Sequence, residues 1–565
     1  MIKISDYIAL QLKKYTDHAF IGQGSSILHL LHSIKKTGIK TIASQNEQGA
    51  SIAADAYSRC SNKLGLVVCT SGPGIINAFQ GIACSYYDSV PCIYLSGAPV
   101  RKFLKKKTSS IRQLGFQEMN MTKITKDFTK YSVRIDRPDM VKYEIEKCIH
   151  LALKGRPGPC LIEIPDDVQR SRYIPGIQKK YLPKNKKQVF KKSALYNFKK
   201  LILKSKRPLL VIGNGLKISK SEKELEKFIK KYKIPYALSY GAADLAYIKP
   251  NLYAGPFGVY ASKHGNLAIQ NSDLLIILGC RINPTLMGSD PKKFAPGAKK
   301  ILIDIDNNEL KEENYLKINL KINLDLKYFF KTIMHLRMTT NSYHNWNEQI
   351  AKWKKDFPTV KKDYLNQKSY VNPYVFFKKL GNLLPKNSTI INDTSNNMVW
   401  MHQSFLSKKG QKIFSAYNHS PMGYSVAASI GAQIANPNRK IVAIIGDGGM
   451  QMNIQEIQNI YHLNLPIKVF LINNKCLGMV AQAMDTWFKG DYVGCDLKSG
   501  LSFPNFNKIF SAYKINNIKI KNHSEIDKKI KESLKNKKAC FCVVDVDPKS
   551  RMIPKVKLGD SLDKL

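Results

Sequence analysis

Ile441-Val442-Ala443-Ile444-Ile445-Gly446-Asp447-Gly448, followed after residues 449–468 by Val469-Phe470-Leu471-Ile472-Asn473-Asn474, decides the fold of this 565-residue chain. Each apolar run reads as a buried strand. Between them, residues 453–461 carry apolar side chains at three- and four-residue spacing, the period of a helix. The order strand, turn, helix, strand, turn is one βαβ unit of a parallel sheet. In such a sheet both turns open on the same carboxyl edge, where ligands bind. Asp447 and Asn474 therefore converge. A carboxylate, an amide oxygen and a nearby backbone carbonyl suit Mg²⁺, which takes oxygen ligands and shares them with substrate phosphates. Gly446, Gly448 and Gly449 let a diphosphate approach the backbone and the helix N-terminus. Alone, Gly-Asp-Gly is also the pattern of an ordinary turn with a capping Asp.

A chain of this length exceeds one core and predicts several domains. Two polar stretches divide it: the Lys-rich residues 179–192, and residues 338–372, which carry a helical piece. The expected domains are 1–178, 193–337 and 370–550. Each alternates strand-like apolar runs with helical patterns, so the fold class is α/β: three doubly wound parallel-sheet domains. The 11 cysteines include no Cys-x-x-Cys pair and read as reduced core thiols of a cytoplasmic protein. No apolar run is long enough to span a bilayer, and the N-terminus reads as an amphipathic helix, not a signal peptide. The net charge of +48 is spread along the whole chain and accompanies no nucleic-acid-binding motif. It predicts weak non-specific binding at low salt and no dedicated nucleic-acid partner.

Glu47 follows the short apolar run of residues 40–43 and opens a small-residue helical pattern. A first-turn Glu is also what the helix dipole favours. Further on come Thr70-Ser71-Gly72-Pro73-Gly74-Ile75-Ile76-Asn77, Gly115-Phe116-Gln117-Glu118 and Gly155-Arg156-Pro157-Gly158-Pro159. With the Gly-Asp-Gly and Asn-Asn pair, these motifs in register resemble the acetolactate synthase large-subunit branch of thiamine diphosphate (ThDP) enzymes over essentially the whole chain. The resemblance implies that Glu47 takes part in acid–base activation of the cofactor's pyrimidine ring. It places Gly24, Pro73, Asn77 and Gln117 beside the cofactor. It assigns Asp447, Asn474 and the carbonyl of Cys476 to the metal.

In the middle block, residues 207–216 form a strand ending in Gly213-Asn214-Gly215, and Gly279-Cys280-Arg281 follows another strand. This resembles the family's domain for a non-redox FAD, and would assign Gly213, Gly215, Arg281 and Arg156 to it. The chain departs from the family pattern at Asn283 and Thr285, so a structural domain without nucleotide is the alternative reading. In the third block Asn396 corresponds to a phosphate-contacting Gln, and Met422 to the residue near the aminopyrimidine. Gly478, Met479 and Gln482 also fit the branch. Ala483 stands where acetolactate synthases carry a tryptophan in the acceptor pocket. Residues 485–504 resemble relatives that act in sugar pathways.

The expected activity is ThDP-dependent decarboxylation of a 2-oxo acid, pyruvate first. The two-carbon unit then passes to a carbonyl acceptor. A carboligase for a nucleotide-linked keto-sugar and a simple 2-oxo acid decarboxylase are the alternatives. The expected assembly is a homodimer or tetramer, because in this superfamily one cofactor is served by two subunits. A small regulatory subunit is a further expected partner.

Overall fold

The computed structural model describes residues 2–105, 109–183, 188–311, 316–336 and 342–564. Parts of both expected connectors, residues 184–187 and 338–341, lie outside them. Among the described residues, 18 strands form three six-stranded sheets, and every named strand pairing is parallel.

The first sheet holds β1 (His18–Gly22), β2 (Lys40–Ala43), β3 (Gly65–Cys69), β4 (Cys92–Ala98), β5 (Tyr131–Arg134) and β6 (Cys160–Pro165), in the order β2-β1-β3-β4-β6-β5. The second holds β7 (Pro208–Ile212), β8 (Tyr236–Leu238), β9 (Tyr253–Pro256), β10 (Leu274–Leu278), β11 (Lys299–Asp304) and β12 (Leu320–Asn323), in the order β12-β11-β10-β7-β8-β9. The third holds β13 (Ser388–Asn392), β14 (Lys412–Phe414), β15 (Lys440–Gly446), β16 (Lys468–Asn473), β17 (Asn516–Ile520) and β18 (Cys540–Asp545), in the order β14-β13-β15-β16-β18-β17. The first and third sheets thus share one topology. The second has the 3-2-1-4-5-6 order of dinucleotide-binding folds, with its switch point between β7 and β10.

Each sheet is buried on both faces, which is why its central strands read as unbroken apolar runs. In β15 and β16, Ile441, Ala443, Ile445, Val469 and Leu471 pack into one core. Val442, Ile444, Phe470 and Ile472 pack into another on the opposite face. The second sheet divides in the same way.

Two differences from the sequence reading affect the site. A helix begins at once after β15, Asp447–Met452, ahead of the expected span, which is itself helical over Ile454–Glu456 and Ile457–His462. Gly446 caps it in an extended conformation and Asp447 sits in its first turn, where the dipole favours a carboxylate. The helix stops at Asn453, whose side chain donates to the Gly423 carbonyl (3.0 Å). In the second connector, the helix His344–Asp356 buries Trp346 and Ile350 against the middle domain. The Trp346 indole N–H donates to the Pro208 carbonyl at 3.0 Å. That helix is part of the domain surface and not a free linker.

The helix Glu47–Ser61 of the first domain lies along the helix Tyr424–Ala435 of the third. Small residues allow this. A Cβ on Gly431 would stand 2.7 Å from the Ala53 carbonyl carbon. At the far end a buried ion cluster locks the pair. Arg59 donates to Asp55 (2.7 Å), Asp88 (3.1 Å) and the Ser415 carbonyl (3.1 Å), and the Tyr424 hydroxyl donates to Asp55 (2.6 Å). Buried charges persist only when paired in this way.

Candidate active site

Asp447 leaves the end of β15 and Asn474 the end of the adjacent β16, which is paired with it in register. Their side chains are buried. The Asp447 carboxylate accepts the backbone N–H groups of Gly448 (2.8 Å) and Lys475 (2.5 Å). Burial pushes its pKa up to about 7 despite these donors, the signature of a carboxylate short of positive charge. Asn396 opens the helix Asn396–Ser404 that follows β13. A Cβ on Gly478 would stand 3.1 Å from both the Asn396 Cγ and the Asn474 Nδ2, so these residues meet at one point. The Asn396 Nδ2 and the Asn392 Oδ1 are buried without a hydrogen-bond partner. Leaving a buried amide unpaired costs ~1–3 kcal/mol, and an anionic ligand at this edge would satisfy the donor.

Among the described residues, no three His, Cys, Asp or Glu side chains gather to hold a metal alone. The donor set here is one carboxylate with amide and carbonyl oxygens. That fits a Mg²⁺ that draws its remaining ligands from a bound diphosphate. The Cys476 backbone lies at the same edge, next to Lys475, whose φ is +51°. Met422 and Leu477 face Gly448, where an added Cβ would stand 3.0 and 2.6 Å from their terminal carbons. Gly478 and Met479 open the helix Gly478–Phe488.

Asp393 was not singled out from the sequence. It is buried, and desolvation pushes its carboxyl up to about 7. It accepts the backbone N–H groups of Thr394 (2.8 Å), Gly423 (3.2 Å) and Ser425 (3.3 Å). It therefore fixes the turn that carries Met422, and a Cβ on Gly449 would stand 3.5 Å from its Cγ. Nothing in the local sequence separates it from the capping residues around it, because the turn it fixes, at Gly423, lies 30 residues on.

The first domain assembles a second set. Glu47 occupies the first turn of its helix, with Asn46 as N-cap, its side-chain oxygen accepting the Gln48 N–H (2.8 Å). The Asn77 side chain donates to the Glu47 carboxylate at 3.0 Å. Gly22 leaves room for that carboxylate, since a Cβ there would be 2.7 Å from its Oε1. Thr70 fills the space between Gly24 and Gly74, and Gly72 abuts Gln117. Glu47, Pro73, Asn77, Gly24 and Gln117 thus surround one patch. Glu47 is half-buried, Pro73 and Asn77 are exposed, and Phe116 beside Gln117 is 83% exposed. Among the described residues, no hydrogen bond joins Glu47, Asn77 or Gln117 to Asp447, Asn474 or Asn396 within the chain.

The middle domain opens a cavity of about 470 Å³ at its switch point, lined by Gly213, Gly215, Gly279, Arg281 and Arg156. This is within the size range of small-molecule sites. β7 and β10 end so close together that a Cβ on Gly213 would stand 2.6 Å from the Cys280 Cβ. Arg156 reaches in from the first domain to Asp306 (3.2 Å) and Glu309 (2.7 Å). Arg281 donates to Asn418 of the third domain at 2.8 Å. Asn283 accepts from Thr285 at 2.6 Å on the cavity wall. A glycine-lined floor with two arginines and four acids, Asp88, Asp304, Glu309 and Asp325, suits a nucleotide's phosphates and ribose hydroxyls.

Three family models match in chain order. They are the N-terminal TPP binding domain of thiamine pyrophosphate enzymes over residues 2–124, the central domain over 197–333, and the C-terminal TPP binding domain over 393–546. The acetolactate synthase large subunit of Lactococcus lactis is 30% identical, covering 88% of this chain and 84% of that protein. That of Cyanidium caldarium is 30% identical over 93% and 89%, and that of Porphyra purpurea 29% over 96% and 92%. Topology, paired motifs and near full-length similarity agree: the chain belongs to the thiamine diphosphate-dependent enzymes, in the branch of the acetolactate synthase large subunits.

Proposed function

We propose that the protein decarboxylates a 2-oxo acid, pyruvate first, and joins the two-carbon unit to a carbonyl acceptor, as the relatives' names imply. The observation that carries this reading is the pair of half-sites. Glu47 with Asn77 stands on one domain, and Asp447, Asn474 and Asn396 stand on another. Domains bounded at 1–178, 193–337 and 370–550 contain the three sheets and the matched ranges, with the helix His344–Asp356 packed onto the middle one.

Bound thiamine diphosphate would supply an electron sink for cleaving the carboxylate. The residues do the rest. Asp447, Asn474 and the Cys476 carbonyl would hold Mg²⁺, and Asn396 would donate to a phosphate oxygen. Met422 would support the aminopyrimidine, and Glu47, oriented by Asn77, would exchange a proton with its ring nitrogen. Gln117, against Gly72, would stand beside the cofactor. The Gly213–Gly215 crevice, with Arg156 and Arg281, would hold FAD in a structural role.

Among the described residues no hydrogen bond joins the two half-sites within the chain, and the first is ringed by exposed apolar side chains, Ile76, Leu114 and Phe116. This supports a homodimer or tetramer in which each site takes Glu47 from one subunit and Asp447 from the other. The relatives are named large subunits, which supports a small regulatory partner. The buried unpaired cysteines fit a reducing cytoplasm.

A second reading is favoured by Ala483. It is exposed, and so are Trp487 and Phe488, at 61% and 62%. Neither ring is buried over the place that the resemblance assigns to an indole. This supports a bulkier acceptor, such as a nucleotide-linked keto-sugar. A simple decarboxylase would release aldehyde instead.

Two variants test the site. Glu47→Gln keeps size and removes the exchangeable proton, and should lower turnover on the order of 10²-fold. Asp447→Ala should abolish Mg²⁺-dependent retention of thiamine diphosphate while the fold survives. Near-normal turnover in the first, or full cofactor retention in the second, would sink the assignment.

A further inference from the structure

The helix that Glu47 opens is held at its first turn by a residue from another domain. Glu456 follows the Asp447–Met452 helix in a short 3₁₀ turn, and its side chain is fully buried. One carboxylate oxygen accepts the backbone N–H of Asn46 at 3.2 Å. The other accepts the Asn459 side chain at 2.7 Å. Asn459 in turn accepts from the Gln45 side chain at 3.3 Å. Gly49, in the first turn after Glu47, admits the carboxylate. A Cβ there would stand 2.9 Å from the Glu456 Cγ and closer still to its carboxyl carbon and Oε1.

The arrangement is more than domain packing. Asn46 spends its own side-chain oxygen on the Gln48 N–H, so the Asn46 N–H needs an outside acceptor. A carboxyl at this point also faces the positive end of the helix dipole. Residues Gln45 and Asn46 on one side of Glu47, and Gly49 on the other, are all fixed by Glu456 or its partner Asn459. Burial pushes the Glu456 carboxyl up, and the hydrogen bonds from Asn459 and Asn46 oppose this. A carboxyl is therefore kept in a dry place, 410 residues away in sequence from the backbone it grips.

We propose that Glu456 is a positioning residue for Glu47: it grips the first turn of the Glu47 helix from the diphosphate-binding domain and so fixes where the Glu47 carboxyl stands. The proposal rests on the reading of Glu47 as the group that exchanges a proton with the cofactor. A displacement of about 1 Å in such a group can cost on the order of 10²-fold in rate.

The test uses the full-length protein with pyruvate, Mg²⁺ and thiamine diphosphate, in four variants: Glu456→Met, Glu456→Gln, Glu47→Gln and the double variant Glu47→Gln with Glu456→Met. Turnover, the KM for pyruvate, cofactor affinity by tryptophan quenching and the melting temperature are measured for each. Glu456→Met keeps the volume and removes both acceptors. It should lower kcat on the order of 10-fold to 10²-fold with KM and cofactor affinity little changed. Glu456→Gln keeps an oxygen for the Asn46 N–H and should recover most of the loss. The double variant should turn over no more slowly than Glu47→Gln alone, because the two residues act as one unit.

Wild-type turnover in Glu456→Met would overturn the proposal, as would losses that multiply in the double variant. So would a loss confined to melting temperature or cofactor affinity. Should Glu456→Met not fold, Gly49→Ala, which displaces the carboxylate without removing it, must show the same kcat loss or the proposal falls. Near-normal turnover in Glu47→Gln would instead refute the role of Glu47 itself, and that result is read independently of any Glu456 variant.

Discussion

Gly478→Ala is the smallest change that should break the diphosphate and metal half-site. The added Cβ would stand 3.1 Å from both the Asn396 Cγ and the Asn474 Nδ2, and nearer still to the Asn396 amide nitrogen. An ordinary contact is ~3.5 Å or more, so the Asn396 amide must retreat by about 1 Å and Asn474 by a few tenths. Neither has free space, since both side chains are buried. Two groups assigned to one diphosphate–metal complex would then be misplaced together. A 1 Å error at a positioned group can cost on the order of 10²-fold, and here it falls on binding. Backbone strain is not the cause, because Gly478 is an ordinary helical residue. The assay is a thiamine diphosphate titration at saturating Mg²⁺, followed by intrinsic fluorescence, with the melting temperature measured on the same samples. The expected result is an apparent Kd raised on the order of 10-fold to 10²-fold with the cofactor-free melting temperature little changed. Wild-type affinity would mean that Asn396 and Asn474 do not frame the ligand.

Other expectations follow from separate parts of the chain. Glu163 is buried, and desolvation pushes its carboxyl from 4.5 up to about 8. The folded state therefore binds more protons than the unfolded state between those values, and stability falls as pH rises through that window. Glu163→Gln should flatten the pH profile of urea midpoints between pH 4.5 and 8, and an unchanged slope would contradict the buried-acid reading. The purified protein should be yellow and release a flavin on denaturation. A colourless preparation that is fully active and gains nothing from added FAD would make the middle cavity structural. Ala483→Trp should narrow acceptor choice, raising preference for 2-oxobutyrate over bulky carbonyl acceptors by about 10- to 100-fold, the scale of pocket-filling discrimination. Unchanged acceptor ratios would place Ala483 outside the pocket.

The central strands were readable because burial on both faces leaves no ambiguity. β3 and β10 coincide with the apolar runs of residues 65–69 and 274–278. The shortest strands were not. β8 and β14 are three residues long and carry no period to detect. Asp447 and Asn474 were legible because a parallel sheet brings consecutive turns to one edge. Glu47 was legible only through the motifs that accompany it. Asp393 and Glu456 were not legible at all. Each acts on backbone far away in sequence, and a carboxyl whose partner is a distant N–H leaves no local pattern. The helix start at Asp447 was missed because two glycines read as a turn, although the strand end and the first-turn carboxylate stabilise a helix there.

The most direct test of the account is to incubate the purified protein with pyruvate, with and without thiamine diphosphate and Mg²⁺. Carbon dioxide, free acetaldehyde and the carbon–carbon-joined product are then quantified together. The account predicts carbon dioxide release that depends on both cofactors and is matched mole for mole by an acetohydroxy acid, or by the adduct of an added keto-sugar. Cofactor-dependent release matched by free acetaldehyde, or pyruvate left unconsumed with every acceptor, would contradict it.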